Sequence, residues 1–364
     1  KGYDWTGEIS KDELLEVEFS DLTDDINSIA NADVFLITVP TPIDESKKPD
    51  LGPLKKASIS VGQAINIRIN NPLYEERNII PVVIFESTVY PGTTEEICIP
   101  LIEQQISSNP EKVKKENFIY GYSPERINPG DKNHRLVDIT KVISGNNKFS
   151  SKWIEYFYGS IINASIYPAQ SIKVAEAAKI IENTQRDLNI ALINELSKIF
   201  KLMNIDTLDV INAASTKWNF IKFQPGLVGG HCIGVDPYYL TYKSEVLGYS
   251  PELLLAGRKM NDGMGNWVAE QIILEMKKKE MNLDNSNILI LGFTFKENCP
   301  DIRNTKVIDI YKTLIKYNLN IEVVDPIASK EDIKDIYKID ISNKLNLDRN
   351  YEVVICAVAH KQFQ

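Results

Sequence analysis

The chain has 364 residues, which is too long for one typical hydrophobic core, so we expect two or three domains. Its content of 43% apolar and 25% charged residues is ordinary for a globular protein, and no apolar run reaches the length of a membrane span. The 41 basic and 50 acidic residues give a net charge of −9, which argues against a nucleic-acid partner but leaves room for a phosphorylated substrate.

Cysteine usage indicates the cellular compartment. The four cysteines, Cys98, Cys232, Cys299 and Cys356, are widely spaced and form no CxxC pair. This spacing predicts neither a disulfide framework nor a zinc site, so we expect no metal. The first residues do not resemble a secretory signal. A reducing cytoplasm, without a membrane partner, fits these features best.

The first part of the chain alternates short apolar runs with helical segments. Residues 32–40, 81–88 and 117–124 are rich in β-branched side chains and predict buried parallel strands. Helical periodicity covers residues 54–69 and 94–105, and the segment from Thr93 to Glu96 has the pattern of a capping box. The alternation predicts a doubly wound α/β domain.

The middle of the chain is helical. Residues from about 172 to 203 contain no Gly or Pro and predict one long helix, whose apolar side includes Val174, Ile181 and Leu192. A second helical stretch covers about 251–279. Strand-like runs then return and alternate with a helix, which predicts a second, smaller α/β domain; these runs are 288–295, 321–326 and 351–359.

One expected motif is absent. A complete dinucleotide-binding domain opens with a strand, the pattern G-x-G-x-x-G and a helix, and the sequence contains no match to it. The chain also does not begin with Met. We therefore expect a βα unit of about 30 residues to precede Lys1.

The sharpest feature is a glycine-rich loop around Cys232. Glycines at 226, 229, 230 and 234 allow the backbone to approach a ligand closely. Asp236 and Pro237 predict the start of a helix that stops near Gly248, so Cys232 lies one turn before a helix N-terminus, where backbone dipoles favour a thiolate. Cys232 is therefore a candidate nucleophile. The alternative is that Cys232 is a small buried apolar residue and Asp236 only a helix cap.

A second candidate site lies on the long helix. Lys179 and Asn183 are four residues apart and therefore share one helix face. An ammonium and an amide that converge on one oxygen would form an oxyanion site. Taken alone, such a pair is usually a solvated surface.

Polar residues also follow the predicted strands of the first domain, where open α/β sheets bind ligands. The segments are 39–42, 86–89 and 123–126. In the later part of the chain, Arg258, Lys296 and Arg303 are plausible phosphate ligands, although isolated cations in loops are more often surface charges.

These residues belong to an ordered series of motifs that resembles the UDP-glucose/GDP-mannose dehydrogenase superfamily, and most closely its bacterial UDP-N-acetylhexosamine 6-dehydrogenases. The motifs are TVPTP (38–42), ESTVYPGT (86–93), YSPER (122–126), EAAKIIENT (176–184), GGHCIGVDPYYL (229–240) and GFTFKENCPDIRNT (292–305). The resemblance covers essentially the whole chain. It implies an α/β protein with two Rossmann-like domains joined by a long central helix that forms a homodimer interface.

The resemblance also implies domains and site residues. An NAD-binding domain would span 1–168, a central helical domain 169–282, and a UDP-binding domain, itself shortened at its end, 283–364. NAD would contact Val39, Pro40, Thr41, Ser87, Thr88 and Arg303. The UDP-sugar would contact Glu125, Arg126, Lys179, Asn183, Phe223, Gly226, Gly229, Arg258, Phe295 and Lys296.

The implied reaction oxidises the 6-hydroxymethyl group of a UDP-sugar to a carboxylate through a thiohemiacetal and a thioester on Cys232. Lys179 and Asn183 would stabilise oxyanions, Asp236 would accept protons through water, Thr88 would position a water, and Glu125 would act as base in hydrolysis. The implied pathway is the synthesis of a surface polysaccharide, a capsule or an O-antigen.

Two departures from the family pattern bear on the sugar. Relatives that act on UDP-glucose carry a second Glu where this chain has Pro129, and an Arg where it has Thr216. Both changes favour an N-acetylated sugar, with UDP-GlcNAc before UDP-GalNAc and UDP-ManNAc. UDP-glucose, a single-hydride enzyme of the 6-phosphogluconate or 3-hydroxyacid type, and a nucleotide-sugar-binding relative without catalysis are the alternatives.

Overall fold

The computed structural model describes residues 9–16, 23–72, 79–106, 117–128, 131 and 134–363. These residues form two units, and the chain passes between them more than once. The first unit contains Ser10–Glu182 and Tyr238–Ser250, and the second contains Asn183–Pro237 and the chain from Pro251 onward. A segment from the middle of the sequence therefore completes the first unit.

The first unit is built on a five-stranded sheet. Its strands lie in chain order: β1 (Val34–Ile37), β2 (Val82–Phe85), β3 (Ile119–Tyr122), β4 (Lys141–Gly145) and β5 (Ile166–Pro168). The first three strands are parallel, β4 is antiparallel to β3, and β5 is parallel to β4. Every residue of β2 is buried, as expected of a parallel strand covered on both faces. The predicted α/β class is confirmed, with strands shorter than the apolar runs.

The helices of this unit are α1 (Lys11–Glu16), α2 (Ile26–Ile29), α3 (Gly52–Asn70), α4 (Ile99–Ile106) and α5 (Lys148–Gly159). Gly62 permits a close approach of α3 to α4, because a Cβ atom there would lie 2.8 Å from the carbonyl oxygen of Ile102. Asn147 and Ser150 cap α5 reciprocally, with two side-chain to backbone bonds of 2.9 Å.

The predicted capping box before α4 is wrong. Thr93 has a helical backbone, and its hydroxyl donates to the carbonyl of Tyr90 instead of accepting an N–H group. A wide π-type turn, Thr94–Cys98, leads into α4. Pro100 gives a reason for this turn, because a proline near a helix start cannot donate an N–H group and crowds the preceding turn.

The predicted long helix is confirmed as α6 (Ile172–Leu202). Its first residues belong to the first unit and the rest to the second. The side predicted to be apolar is largely exposed: Val174, Ile181, Leu192 and Ile199 are 47%, 55%, 53% and 44% exposed. The opposite side carries small and polar residues, and Ala175, Asp187 and Asn194 are fully buried.

Helix α8 (Asp236–Val246) follows the cysteine-containing loop, and from Tyr238 it belongs to the first unit. The Tyr239 hydroxyl donates to the carbonyl of Thr41 at 2.7 Å, and Lys47 Nζ donates to the Tyr238 hydroxyl at 2.7 Å. Lys243 pairs with Glu96 at 2.7 Å. These contacts bind α8 to the loop after β1 and to the turn before α4.

After the second part of α6, the second unit contains α7 (Thr207–Ala214), α9 (Glu252–Asp262) and α10 (Met264–Lys278). The sequence predicts one helix over about 251–279, and the structure interrupts it at Gly263, a residue with low helix propensity. The remaining elements are β6 (Asn287–Leu291), α11 (Val307–Leu314), β7 (Asn320–Val324), α12 (Lys330–Tyr337) and β8 (Val353–Cys356).

The second sheet is parallel throughout, in the order β7-β6-β8. Its core contains Ile288, Ile290 and Phe293, packed with apolar residues of α10, α11 and α12. This arrangement confirms the predicted second α/β domain. None of the helices in the described ranges combines the length and apolar content that a bilayer span needs.

Candidate active site

The cysteine-containing loop leads directly into α8. The carbonyl of Cys232 accepts the N–H groups of Val235 at 3.0 Å and Asp236 at 2.8 Å. The Cys232 side chain is half-buried. Because Asp236 is the first residue of α8, the structure places Cys232 one turn before a helix N-terminus. Partial positive charge at such a terminus favours an anion, including a thiolate.

Asp236 connects this loop to α6. Its Oδ2 atom accepts a hydrogen bond of 2.6 Å from Asn183 Nδ2, and Asp236 is 3% exposed. The bond fixes the orientation of the Asn183 amide and places a buried carboxylate near the start of α8. Two of the predicted site residues, Asn183 and Asp236, are thus brought together, and the Asp236 backbone continues the link to Cys232.

Lys179 lies one turn before Asn183 on α6 and is only 5% exposed. Across the described parts of the chain, no carboxylate or other acceptor bonds to its ammonium group. Burial of an ammonium group is costly unless it is paired, so the solvated surface that a Lys–Asn pair usually indicates does not apply here. A buried lysine side chain without a paired carboxylate among the described residues is therefore a candidate functional residue.

Glycines 229 and 230 are required by close contacts inside the second unit. A Cβ atom on Gly229 would lie 2.8 Å from the carbonyl oxygen of Asn304, and one on Gly230 would lie 2.9 Å from the Phe295 ring. Gly230 also has a φ of +81°. The Gly230 N–H donates to the Arg303 carbonyl at 3.2 Å, and Asn304 Nδ2 donates to the Gly230 carbonyl at 3.1 Å. The cysteine loop therefore rests on segment 295–304.

Charged groups surround the histidine next to the cysteine. His231 Nδ1 lies 3.5 Å from Asp301 Oδ2. Arg303 Nε donates to both carboxylate oxygens of Asp301 at 3.0 Å, and Arg303 Nη2 donates to Asp301 Oδ2 at 2.6 Å. The Asp301 carboxylate, and next the Cys232 thiol, raise the pKa of His231 to about 9. Burial alone would raise the pKa of Asp301, but His231 and Arg303 together hold it below its ordinary range. An imidazolium ion therefore adjoins Cys232 at neutral pH.

Phe295 and Lys296, two predicted substrate ligands, lie in the loop after β6. The Phe295 N–H donates to the Asp301 carbonyl at 3.1 Å, and the Thr294 hydroxyl donates to the Lys296 carbonyl at 2.9 Å. Both side chains are partly exposed. Arg303, a predicted NAD ligand, is 45% exposed despite its pairing with Asp301.

Arg258 differs from these loop cations. Its guanidinium group is 2% exposed on α9, 2.6 Å from Asp187 Oδ1 and 2.5 Å from Asp262 Oδ1. The guanidinium group is therefore held between two carboxylates, and the contact of Arg258 with a UDP-sugar stays a prediction. Phe223 is partly exposed and Gly226 is exposed, in the loop that precedes Gly229.

The strand-end residues of the first unit are held together by hydroxyl groups. Ser87 Oγ donates to the Val39 carbonyl at 2.6 Å, and Thr41 Oγ1 donates to the Thr88 carbonyl at 2.7 Å. Pro40 is exposed between them. The loops that follow β1 and β2 thus form one edge, where an open α/β sheet binds a dinucleotide.

Glu125 and Arg126 follow β3. Arg126 pairs with Glu182 of α6 at 2.8 Å and donates to the Thr140 carbonyl at 2.7 Å. Glu125 is partly exposed and accepts the N–H group of Ile127. The two positions that bear on the choice of sugar are Pro129 and Thr216. Pro129 lies outside the described residues. Thr216 is exposed just after α7, and its hydroxyl donates to the Ala213 carbonyl.

The predicted site residues fall into two sets. Val39, Pro40, Thr41, Ser87, Thr88, Glu125, Arg126 and Lys179 belong to the first unit. Asn183, Phe223, Gly226, Gly229, Cys232, Asp236, Arg258, Phe295, Lys296 and Arg303 belong to the second. His231 and Asp301 are not among the residues predicted from the sequence, although the position of His231 next to a candidate nucleophile could have indicated its role. The role of Asn194 could not be predicted from the sequence, because a single asparagine in a helix is common.

Three models of the UDP-glucose/GDP-mannose dehydrogenase family match the chain in order: the NAD binding domain at residues 8–162, the central domain at 173–263 and the UDP binding domain at 289–364. The UDP-N-acetyl-D-glucosamine 6-dehydrogenase of Salmonella typhi is 50% identical over 363 residues, covering 100% of this chain and 81% of that protein. The protein of the same name from Pseudomonas aeruginosa is 50% identical over 364 residues, with coverages of 100% and 82%.

Among solved structures, the UDP-D-ManNAc dehydrogenase from Pyrococcus horikoshii has a TM-score of 0.78 at 25% identity, and the match covers 94% of this chain and 74% of that one. The fold and the matched domains define a nucleotide-sugar dehydrogenase that uses NAD. The chain belongs to the UDP-glucose/GDP-mannose dehydrogenase family.

Proposed function

We propose that the enzyme oxidises the C6 hydroxymethyl group of a UDP-N-acetylhexosamine, with UDP-GlcNAc as the first choice, to the corresponding uronate. Two relatives at 50% identity carry the name UDP-N-acetyl-D-glucosamine 6-dehydrogenase, which supports this sugar. Pro129 and Thr216, which stand where UDP-glucose enzymes carry Glu and Arg, favour the same choice. UDP-GalNAc, UDP-ManNAc and UDP-glucose are the alternative substrates.

The observation that carries the proposal is the buried side chain of Lys179, one turn from an amide that Asp236 orients. Lys179 is 5% exposed and has no bonded acceptor among the described residues, and Asn183 is held by Asp236 at 2.6 Å. Such donors are costly to bury for stability alone, but they suit an oxygen atom that becomes negatively charged during reaction. Lys179 and Asn183 are the groups proposed to stabilise that oxyanion.

Cys232 is the proposed nucleophile. Its sulfur forms a bond to the C6 aldehyde of the first oxidation and gives a thiohemiacetal, whose oxidation gives a thioester. Water then cleaves the C–S bond, which releases the uronate and returns the thiolate. When bound, NAD accepts one hydride in each oxidation, so each uronate formed accompanies two NADH and consumes one water.

Other residues move or position protons in this proposal. Asp236 accepts a proton through water, Thr88 positions a water, and Glu125 is the base for hydrolysis of the thioester. The partly exposed position of Glu125 leaves its carboxylate accessible to water. His231 adds a cation beside the sulfur, which stabilises negative charge there.

The proposed binding residues form two groups, one for NAD and one for the UDP-sugar. Val39, Pro40, Thr41, Ser87 and Thr88 fit NAD because all follow β1 and β2 at the carboxyl edge of the sheet, and Arg303 is proposed to contact the same cofactor. Glu125, Arg126, Phe223, Gly226, Gly229, Phe295 and Lys296 are proposed to contact the UDP-sugar. We propose three domains at 1–168, 169–282 and 283–364.

A homodimer through α6 is part of the proposal. Val174, Ile181, Leu192 and Ile199 expose an apolar surface along this helix, and Leu202 and Met203 extend it. Extended apolar surfaces of this kind typically mark protein interfaces. The proposed pathway is surface polysaccharide synthesis. A reducing cytoplasm is the proposed location, and the four free cysteines are compatible with it.

A substrate panel tests the function. The purified full-length enzyme is offered UDP-GlcNAc, UDP-GalNAc, UDP-ManNAc and UDP-glucose, and both NADH and uronate are quantified. We expect two NADH per uronate, with the highest kcat/KM on UDP-GlcNAc. One NADH per substrate would instead indicate a single-hydride dehydrogenase and overturn the proposal.

Cys232→Ser tests the nucleophile, with Cys356→Ser, at an exposed thiol on β8, as the matched control. Cys232→Ser is expected to abolish uronate formation while UDP-sugar binding persists. Cys356→Ser is expected to retain both. Uronate production by Cys232→Ser at the wild-type rate would exclude the thioester route.

A further inference from the structure

A buried polar network in the second unit starts from the ion pair between Arg258 and Asp187. Arg258 and Asp187 are 2% and 0% exposed, and their charged groups lie 2.6 Å apart. Asn261 Nδ2 donates to Asp187 Oδ1 at 2.7 Å and to the Asp187 carbonyl at 2.9 Å. Since both bonds use the amide nitrogen, the oxygen of Asn261 must point away from Asp187.

Asn194 continues the network from α6 to the loop before the cysteine. Its Nδ2 atom donates to Asn261 Oδ1 at 2.8 Å and to the Gly226 carbonyl at 3.0 Å. Its Oδ1 atom accepts the Gly226 N–H at 2.9 Å. One fully buried amide therefore binds both backbone groups of an exposed glycine. The orientation of this amide is fixed, because the oxygen of Asn261 requires a donor from Asn194.

The loop is thus held at two places. Asn194 binds it at Gly226, and Asn304 and the Arg303 carbonyl bind it at Gly230. Gly226 itself makes no close contact, since a Cβ atom there would have no heavy atom within 4 Å. The backbone of this half of the loop is held by the Asn194 side chain, and the open space beside it is available to a ligand.

We propose that Asn194 is a positioning residue for substrate binding, and that the amide chain from the Arg258–Asp187 pair through Asn261 sets the loop backbone at Gly226 for a nucleotide sugar. The inference rests on the proposed function, in which Phe223, Gly226 and Gly229 contact the UDP-sugar. It also gives the buried Arg258 an indirect role in substrate binding. Arg258 holds Asp187, which orients Asn261, and Asn261 in turn orients Asn194.

Asn194→Asp tests the inference with little change in volume. A carboxylate at 194 can still accept the Gly226 N–H bond, but it loses both donated bonds and faces the oxygens of Asn261 and Gly226, so the anchor of the loop should weaken. Asn189→Asp is the matched control on the same helix, where the amide of a partly exposed residue donates to the Gln185 carbonyl. We expect KM for UDP-GlcNAc to rise roughly tenfold in Asn194→Asp with kcat changed much less, and neither to change in Asn189→Asp.

Hydrogen exchange separates this inference from the proposed function. In the wild-type enzyme the Gly226 amide should be protected, although its residue is exposed, and Asn194→Asp should accelerate exchange in residues 223–229 above Asn189→Asp. Rapid Gly226 exchange in the wild type would overturn the inference, and this measurement does not require the variant to fold. Faster loop exchange with an unchanged KM, or with a loss of kcat alone, would also overturn it.

A failed proposed function gives a different result. If the wild-type enzyme oxidises no UDP-sugar, the proposed function is lost, while the exchange data still report whether Asn194 holds the loop.

Discussion

Glu176 Oε2 accepts the backbone N–H group of Gly92 at 2.6 Å, inside the first unit. Its other oxygen accepts the N–H group of Thr94 at 2.9 Å. One carboxylate from α6 therefore accepts two backbone N–H groups at the start of the helical segment that leads to α4. Glu176 is 0% exposed, and burial raises its pKa to about 7, although these two N–H groups act in the opposite direction.

This pKa predicts a dependence of stability on pH. Between the ordinary value of 4.5 and about 7, the folded protein keeps a proton on Glu176 that the unfolded chain releases, so the free energy of unfolding falls as pH rises. Urea unfolding of wild type and Glu176→Gln at several pH values measures the contribution. The wild-type stability relative to the variant should decline across this window by up to about 3 kcal/mol.

Glu195→Gln is the control for that series, because Glu195 is an exposed glutamate on the same helix. Its stability relative to the wild type should be constant over the same pH range. A flat difference for Glu176→Gln as well would mean that the buried carboxyl group does not titrate in this window.

The glycines of the cysteine loop should respond differently to alanine. Gly226 has no positive φ and free space around its Cα, so Gly226→Ala should leave unfolding unchanged or stabilise the protein by less than about 1 kcal/mol. If a UDP-sugar occupies that space, the new methyl group should raise KM. Gly230→Ala combines a φ of +81° with a 2.9 Å approach to the Phe295 ring and should destabilise by about 1 to 2 kcal/mol. Thermal unfolding and steady-state kinetics of both variants check these outcomes.

Lys179→Met should separate stability from activity. The variant replaces a buried lysine side chain, whose ammonium group has no bonded acceptor among the described residues, with an apolar side chain, so we expect stability to be unchanged or to rise by up to about 1 kcal/mol. Loss of the oxyanion donor should reduce kcat by roughly a hundredfold or more. Lys201→Met, at a surface pair with Glu275, should change neither by a comparable amount. A Lys179→Met enzyme with the kcat of the wild type would remove Lys179 from the mechanism.

His231 predicts a second pH effect, which has the same sign as that of Glu176 but lies at higher pH. Its pKa in the folded protein is about 9, above the ordinary 6.5, so its ion pair with Asp301 stabilises the fold fully below 6.5 and loses this effect as pH rises through 9. The side chain is 36% exposed, so solvent screening limits the effect to about 1 kcal/mol. His231→Gln should therefore be less stable than the wild type at pH 6 and equal to it near pH 10 in urea unfolding. Equal stability at both pH values would exclude the ion pair.

The secondary-structure elements that could be predicted from the sequence are those determined by residues close together in the chain. Buried parallel strands require unbroken apolar runs such as Val82–Phe85, and a long helix requires a stretch without Gly or Pro such as Ile172–Leu202. The helix N-terminus at Asp236 was readable for the same reason, because the Asp-Pro pair acts within one turn.

The features that the sequence did not predict depend on residues far apart in the chain. Thr93 is not a cap because Glu176, 82 residues after Thr94, supplies the acceptor. From the sequence alone, Arg258 looks like a surface cation. In the structure it is buried and paired with Asp187, which lies 71 residues earlier in the chain. Asn194 gained its importance only through Asn261 and Gly226, and no local pattern marks such a relation.

Helix α8 has a consequence for how the protein is made. The first unit is complete only when Tyr238–Ser250 has been added, because Tyr239 and Lys243 bind it to the loop after β1 and to Glu96. During synthesis, the strands of that unit emerge from the ribosome long before this last helix does. The nascent chain must therefore keep the docking surface for α8 uncovered through more than 50 further residues of translation after Glu182.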